Sequence, residues 1–308
     1  MAPERSHASP WAVAAAFGAI YILWGSNFLA IKFAVETIPP FLLMGTRSLI
    51  AGIALFGWGL ARGEERPRAE HWRGAILIGA LLFAIGHGAL AWALQFVPSG
   101  IAALLNATIP LWMVVLEWRW LGVGRPGLAT WAGLALGLAG ITLLVGLDRL
   151  TGAATTPLVP ALALVGSAFG WAAGSIASRL VALPRSLALA TGMQLSAGGT
   201  MLCLLALGAG ELSGGLAVSA RSLAAMSYMI VAASIVTFTA YIWLLGVSTP
   251  GRVASYAFVN PMVAVFVGWA VGGETLSGRT FVAAGIIVTG VLLIVAARTA
   301  GAGVSTRR

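Results

Sequence analysis

The chain repeats itself. Trp92–Gly127 reads WALQFVPSGIAALLNATIPLWMVVLEWRWLGVGRPG, and Trp243–Gly278 reads WLLGVSTPGRVASYAFVNPMVAVFVGWAVGGETLSG. Trp92 and Trp243 each precede a proline, Pro110 and Pro261, by 18 residues; Trp118 and Trp269 follow those prolines by eight, and Gly127 and Gly278 by seventeen. Four matched positions at fixed spacing define an internal repeat, which constrains architecture before any single motif does. The repeat reaches back to the start of each half. Trp24 and Trp171 are each followed eight residues later by a cation, Lys32 and Arg179, and 23 residues later by Arg47 and Gln194.

The repeated material is apolar: 59% of the 308 residues are hydrophobic and 9% are charged. Soluble domains average about 25% charged residues, so this composition belongs to an integral membrane protein. A spanning helix needs about 20 apolar residues. Segments 11–33, 39–61, 72–96, 99–121, 126–147, 158–181, 184–208, 222–246, 251–272 and 277–297 meet that requirement. The apolar runs do not alternate, which argues against strands. Each copy of the repeat holds five of these helices. Five is odd, so the second copy enters from the opposite face. The expected fold is all-α and integral to the membrane, with ten transmembrane helices as two inverted five-helix repeats. The expected divisions are a cytoplasmic tail over 1–10, the first repeat over 11–147, a linker over 148–157, the second repeat over 158–297, and a cytoplasmic tail over 298–308. Secondary transporters use this plan, with substrate near the midplane between the copies.

The cations orient the chain. With the amino terminus in the cytoplasm, thirteen fall on the inner side, four (Lys32, Arg149, Arg221, Arg279) on the outer side, and Arg47 within a span. That bias follows the positive-inside rule, so both termini are expected in the cytoplasm and the protein in a cell inner membrane. The arginines are scattered singly at helix ends, which is unlike a phosphate-binding stripe, and no nucleic-acid partner is expected. The expected partners are the lipid bilayer and a small-molecule substrate. A lone cysteine, Cys203, permits neither an internal disulfide nor a thiolate metal cluster. No metal or cofactor is expected, and the motifs of hydrolases and metalloenzymes are absent, so the chain does not read as an enzyme. The sequence leaves monomer and homodimer equally open.

Candidate site residues lie where polar or aromatic groups interrupt the apolar spans. Trp24 and Trp171 begin Trp24-Gly-Ser-Asn27 and Trp171-Ala-Ala-Gly-Ser175. Two readings stand: close helix packing through small residues, or aromatic walls on a central cavity with Asn27 and Ser175 as polar contacts. His87, between Gly86 and Gly88, is the only histidine inside a span. An ionisable residue there is a functional hypothesis by default, and histidine changes charge near neutral pH. It therefore serves as a substrate contact, as a proton-coupling group, or as a neutral hydrogen-bonded member of the bundle. Arg47 lies about 10 Å into the second span, facing either a substrate carboxylate or backbone carbonyls. Tyr241, Trp243, Tyr256 and Asn260 sit at or near the repeated breaks, and complete the expected substrate-binding set. Pro98, Pro110, Pro250 and Pro261 are expected to break or kink their helices, because proline lacks a donor and clashes with the preceding turn.

Trp24-Gly25-Ser26-Asn27, Arg47, Asn260-Pro261, and Gly273-Glu274 before Leu276 together resemble the drug/metabolite transporter superfamily, EamA type. The first half departs from the pattern: Val123 stands thirteen residues after Pro110, where Glu274 stands thirteen after Pro261. Within the superfamily the chain looks most like the YddG-type exporters of aromatic and other amino acids. The resemblance implies a secondary transporter that exports amino acids or related small metabolites by alternating access, and it allows proton antiport. Apart from Glu117 near an end, no carboxylate lies deep in the spans, so a carboxylate proton relay is poorly supported and passive uniport stays open. Other substrates, such as organic cations or nucleotide sugars, also remain, as do a membrane-embedded enzyme and a sensor.

Overall fold

The structure, a computed structural model, describes residues 9–122, 125–145, 157–248 and 256–305. Ten helical rods run through them: α1 (Pro10–Ala34), α2 (Pro40–Ala61), α3 (Ala69–Ala93), α4 (Ser99–Trp120), α5 (Leu128–Val145), α6 (Leu158–Ala177), α7 (Leu187–Gly208), α8 (220–247), α9 (Tyr256–Ala270) and α10 (Gly278–Ser305). Six of them (α1 to α4, α6 and α7) are long and apolar enough to cross a bilayer, and shorter apolar helices lie within the other four. No strand occurs among the described residues. The all-α membrane fold expected from the repeat is the fold observed.

The helix ends follow from local chemistry. Proline opens α1 and α2, where its missing N–H costs nothing. Ser186 and Ser219 cap α7 and α8, each side chain accepting from a backbone N–H three residues on. Glycines in the left-handed region end helices at repeat-equivalent places. Gly63 (φ 74°) and Gly210 (φ 70°) follow α2 and α7 and stand 147 residues apart, as Trp24 and Trp171 do. Gly122 (φ 63°) and Gly273 (φ 64°) follow α4 and α9 and stand 151 apart, as Pro110 and Pro261 do.

The two halves meet around a quasi-two-fold axis at the α2–α7 crossing. Gly45 and Gly52 on α2 match Gly192 and Gly199 on α7. A Cβ on Gly52 would lie 3.0 Å from Gly192 O, and one on Gly192 would lie 3.0 Å from Gly52 O. Gly45 and Gly199 are reciprocal in the same way, at 3.1 and 3.0 Å. The backbones touch because these positions carry no side chain, as at small-residue crossings in membranes. A second crossing joins α5 to α10, where a Cβ on Gly133 would meet Gly290 O at 2.5 Å.

Around these crossings the halves exchange partners: α1 packs on α8 and α9, and α6 packs on α3 and α4. Both third helices carry an unexpected feature. Ala80–His87 in α3 and Met229–Val236 in α8 are π-helical, again at repeat-equivalent positions 149 residues apart. Each π turn widens the helix and re-aims its side chains, a device frequent at functional sites.

The proline expectations resolve individually. Pro98 is the N-cap of α4. In α4 the helix stops at Asn106 and resumes at Ile109, with Pro110 in the first turn of the resumed piece. Pro261 lies inside α9 without ending it. Pro250 lies outside the described residues.

Candidate functional site

The π stretches are where the two signature tryptophans land. Trp24 on α1 crosses the π stretch of α8, and its Nε1 donates to Ala233 O at 2.9 Å. Trp171 on α6 crosses the π stretch of α3, its ring centroid 5.0 Å from that of His87 and 6.3 Å from that of Phe83. Each tryptophan therefore reaches from one half onto the wound-out turn of the other. The symmetry is broken in one respect. Trp24 is tied to backbone, whereas Trp171 Nε1 makes no hydrogen bond among the described residues.

Around Trp24, Tyr241 and Tyr256 complete a cluster of three rings, with centroids 5.4 and 5.0 Å from the tryptophan and 6.0 Å from each other. Ser26, two residues on, shares a hydrogen bond of 2.6 Å with Tyr228 at the edge of the α8 π stretch. Around Trp171, Phe83 and His87 contribute the other rings. Ser167, one turn before Trp171, donates to Gly86 O at 2.6 Å and locks α6 to the π turn. His87 forms no hydrogen bond among the described residues; its nearest rings are Phe83 and Trp171.

Arg47 on α2 reaches the π stretch of α8. Its side chain is buried, at 9% exposure. Nη2 donates to Ser234 Oγ at 3.2 Å in the α8 π stretch, and Nη1 faces the sulfurs of Met44 and Met229 at 3.9 and 3.8 Å. Ser234 in turn donates to Met229 O five residues back, the π spacing. Asn27 Oδ1, Asn106 Oδ1 and Trp112 Nε1 are buried polar atoms with no hydrogen-bond partner among the described residues.

The remaining sequence candidates divide. Asn260 is buried, and with its amide nitrogen turned to the carbonyls it lies 3.2 Å from Tyr256 O and 3.3 Å from both Ile20 O and Tyr21 O. It stitches α9 to α1 beside the proline. Ser175 Oγ bonds back to Trp171 O at 2.8 Å on its own helix. Trp243 is not with the other rings: it is 38% exposed. Two residues along a helix turn the side chain by about 200°, so the inward Tyr241 points Trp243 outward. Sequence reasoning missed Phe83, Tyr228, Met229 and Ser234. The signal for Tyr228 was its rarity, one of four tyrosines in an apolar chain; the others lie on π turns, which have no sequence period. A separate cavity of about 630 Å³ opens between the α2–α3 and α6–α7 links, lined by Glu64, Arg68, His71, Arg185 and Ser186 among others, and shares no residue with this centre. Among the described residues no group of three His, Cys, Asp or Glu is placed to hold a metal ion.

Comparison with known proteins adds family to geometry. The sequence profile of the EamA-like transporter family matches residues 10–146 and 158–296. The "Uncharacterized inner membrane transporter YedA" of Escherichia coli (strain K12) is 39% identical over 277 residues, covering 90% of this chain and 88% of its own. The "Uncharacterized transporter YvbV" of Bacillus subtilis (strain 168) is 24% identical over 275 residues, covering 89% and 88%. One solved crystal structure of a protein shares the fold at a TM-score of 0.61 and 23% identity, over 93% of this chain and 98% of its own.

Proposed function

The chain belongs to the EamA-like transporter family, and we propose that it is a secondary transporter exporting amino acids, aromatic ones included, or related small metabolites across the cell inner membrane. It works by alternating access, with both termini in the cytoplasm. The observation that carries this reading is the pair of tryptophans, Trp24 and Trp171, each laid on the π stretch of the opposite half. They put two aromatic clusters on either side of the quasi-two-fold axis, where inverted-repeat transporters hold substrate. Aromatic faces suit amino acids through stacking and cation–π contact.

Substrate contacts come from Trp24, Trp171, His87, Tyr241 and Tyr256, with Asn27 and Ser175 as polar neighbours. Asn260 holds α9 against α1 while the halves rock. His87 is the proposed proton-coupling group, its nitrogens having no hydrogen-bond partner among the described residues. The name of the relative YedA supports the inner membrane, and the arginine bias supports the orientation.

Counterflow tests the reading. Proteoliposomes loaded with unlabelled amino acid should accumulate the labelled form, and a pH indicator inside should report proton movement in the opposite sense. Absence of counterflow for the amino-acid panel would overturn amino-acid export. Counterflow with no proton movement under a substrate gradient would remove the coupling role of His87.

A further inference from the structure

Arg47 is charged, buried and without a counter-ion among the described residues. A guanidinium presents five N–H donors and no acceptor. Here one hydroxyl oxygen, Ser234 Oγ at 3.2 Å, is its oxygen partner among the described residues, and the other contacts are two thioethers at 3.8 and 3.9 Å. Thioether sulfur is a weak acceptor. None of the ion pairs among the described residues includes Arg47; their carboxylates belong to residues at the two ends of the bundle and in its links. Burying a charge away from an opposite charge is costly, and arginine within a span pairs with another group or marks a substrate path. The quasi-two-fold equivalent on α7 is Gln194, which is neutral, so the arginine is not required by the crossing itself.

We propose that Arg47 receives a carboxylate of the transported molecule, so that the centre selects substrates with a negative end and rejects those whose only charge is positive. This rests on the transport reading above and names its substrate class. The fork geometry of arginine matches a carboxylate with two parallel hydrogen bonds. Ser234 holds one arm of the fork from the π stretch of α8, and Met44 and Met229 flank it with polarizable but weakly accepting surface. The aromatic clusters on each side then take the apolar body. The central groups named here include no carboxylate for an ammonium, so an amino group meets ring faces and amide oxygens such as Asn27 Oδ1. A carboxylic acid without an amino group therefore remains a ligand, and an amine without a carboxylate does not.

The test uses purified full-length protein in non-ionic detergent without anionic lipid, which removes lipid phosphate as a rival anion. Melting midpoints are recorded against concentration for three forms of one scaffold: L-phenylalanine, L-phenylalaninamide and 3-phenylpropionate, with the leucine set in parallel. The acids should raise the midpoint at concentrations at least about tenfold below those needed for the amides, equivalent to ~1.4 kcal/mol. In Arg47→Gln that gap should close, and in Arg47→Lys it should narrow but persist. Should Arg47→Gln fail to fold, the native preference and Arg47→Lys still decide. Amides acting as well as acids, no acid acting at all, or a gap unchanged in Arg47→Gln would each overturn the proposal. An acid preference in a protein that gives no amino-acid counterflow would leave Arg47 recognition standing and remove only the amino-acid reading.

Discussion

A side chain on Gly268 would collide with the carboxylate of Glu274: a Cβ there would lie 2.5 Å from Glu274 Oε2. Gly268 follows Pro261 by seven residues, as Glu117 follows Pro110. Each half thus has a carboxylate beside its fourth helix, supplied by different sequence positions. Glu117 pairs with Arg179 at 3.2 Å, and Glu274 pairs with Lys32 at 3.2 Å, the two cations being repeat-equivalent. Glu274 also accepts from Ser99 N at 2.6 Å and Gly100 N at 3.1 Å, capping α4. These two repeat-related ion pairs therefore lie at opposite ends of the bundle.

The two pairs should differ in strength. The Lys32 and Glu274 side chains are 31% and 8% exposed, against 58% and 14% for Arg179 and Glu117. Removing one partner of a buried, hydrogen-bonded pair costs about 3–5 kcal/mol, and an exposed pair contributes about 0–1 kcal/mol. Glu274→Gln, which retains some hydrogen bonding, should lose about 2–4 kcal/mol, and Arg179→Gln under about 1 kcal/mol. Thermal unfolding of the purified variants measures both, and equal losses would contradict the difference in burial.

The glycine crossing gives a second stability test. Gly52→Ala and Gly192→Ala each force a methyl against the opposing backbone, and overpacking costs about 1–3 kcal/mol. Each should lower the unfolding midpoint, and the double variant should fall short of additivity because both push the same two helices apart. Gly57, which has open space around it, is the control and should tolerate alanine. Wild-type stability in Gly52→Ala would contradict the backbone contact.

The tryptophans should separate by role. Trp24→Phe loses the bond to Ala233 O, worth about 1 kcal/mol, while Trp171→Phe loses none. Trp171→Ala should reduce transport at least about tenfold with the fold retained, since ring stacking contributes about 1 kcal/mol beyond area burial. A Trp171→Ala variant that transports normally, or fails only by unfolding, makes Trp171 a packing residue.

Much of this was legible in the sequence because the repeat is written in spacing. Trp24 and Trp171, 147 residues apart, announced both tryptophan sites, and Arg47 stood out as an arginine within a span. The π stretches were not legible. Their wider turn leaves no compositional mark, so Ser234 and Met229 could not be assigned to Arg47. Glu274 looked unmatched because its partner in the first half is Glu117, which enters the equivalent space from six residues nearer the proline. Trp243 was misplaced because its distance to Pro261 matched a repeat, while its helical angle relative to Tyr241 pointed it outward.

Orientation can be checked at two links. In a Cys203→Ser background, a cysteine at Glu65 should be shielded from impermeant thiol reagents outside intact cells. One at Thr155, which lies outside the described residues, should be labelled. The reverse pattern would invert the topology.

The most direct measurement places a cysteine at the centre itself. Cys203 is the sole cysteine, so Ser175→Cys in a Cys203→Ser background reports one site, a turn from Trp171 on the same helix. Small impermeant thiol reagents would be applied to right-side-out and inside-out vesicles, with and without amino acid. The expected result is labelling from either face, slowed by the amino acids that undergo counterflow. Labelling from neither face, or labelling that no amino acid alters, would contradict a substrate path between Trp24 and Trp171.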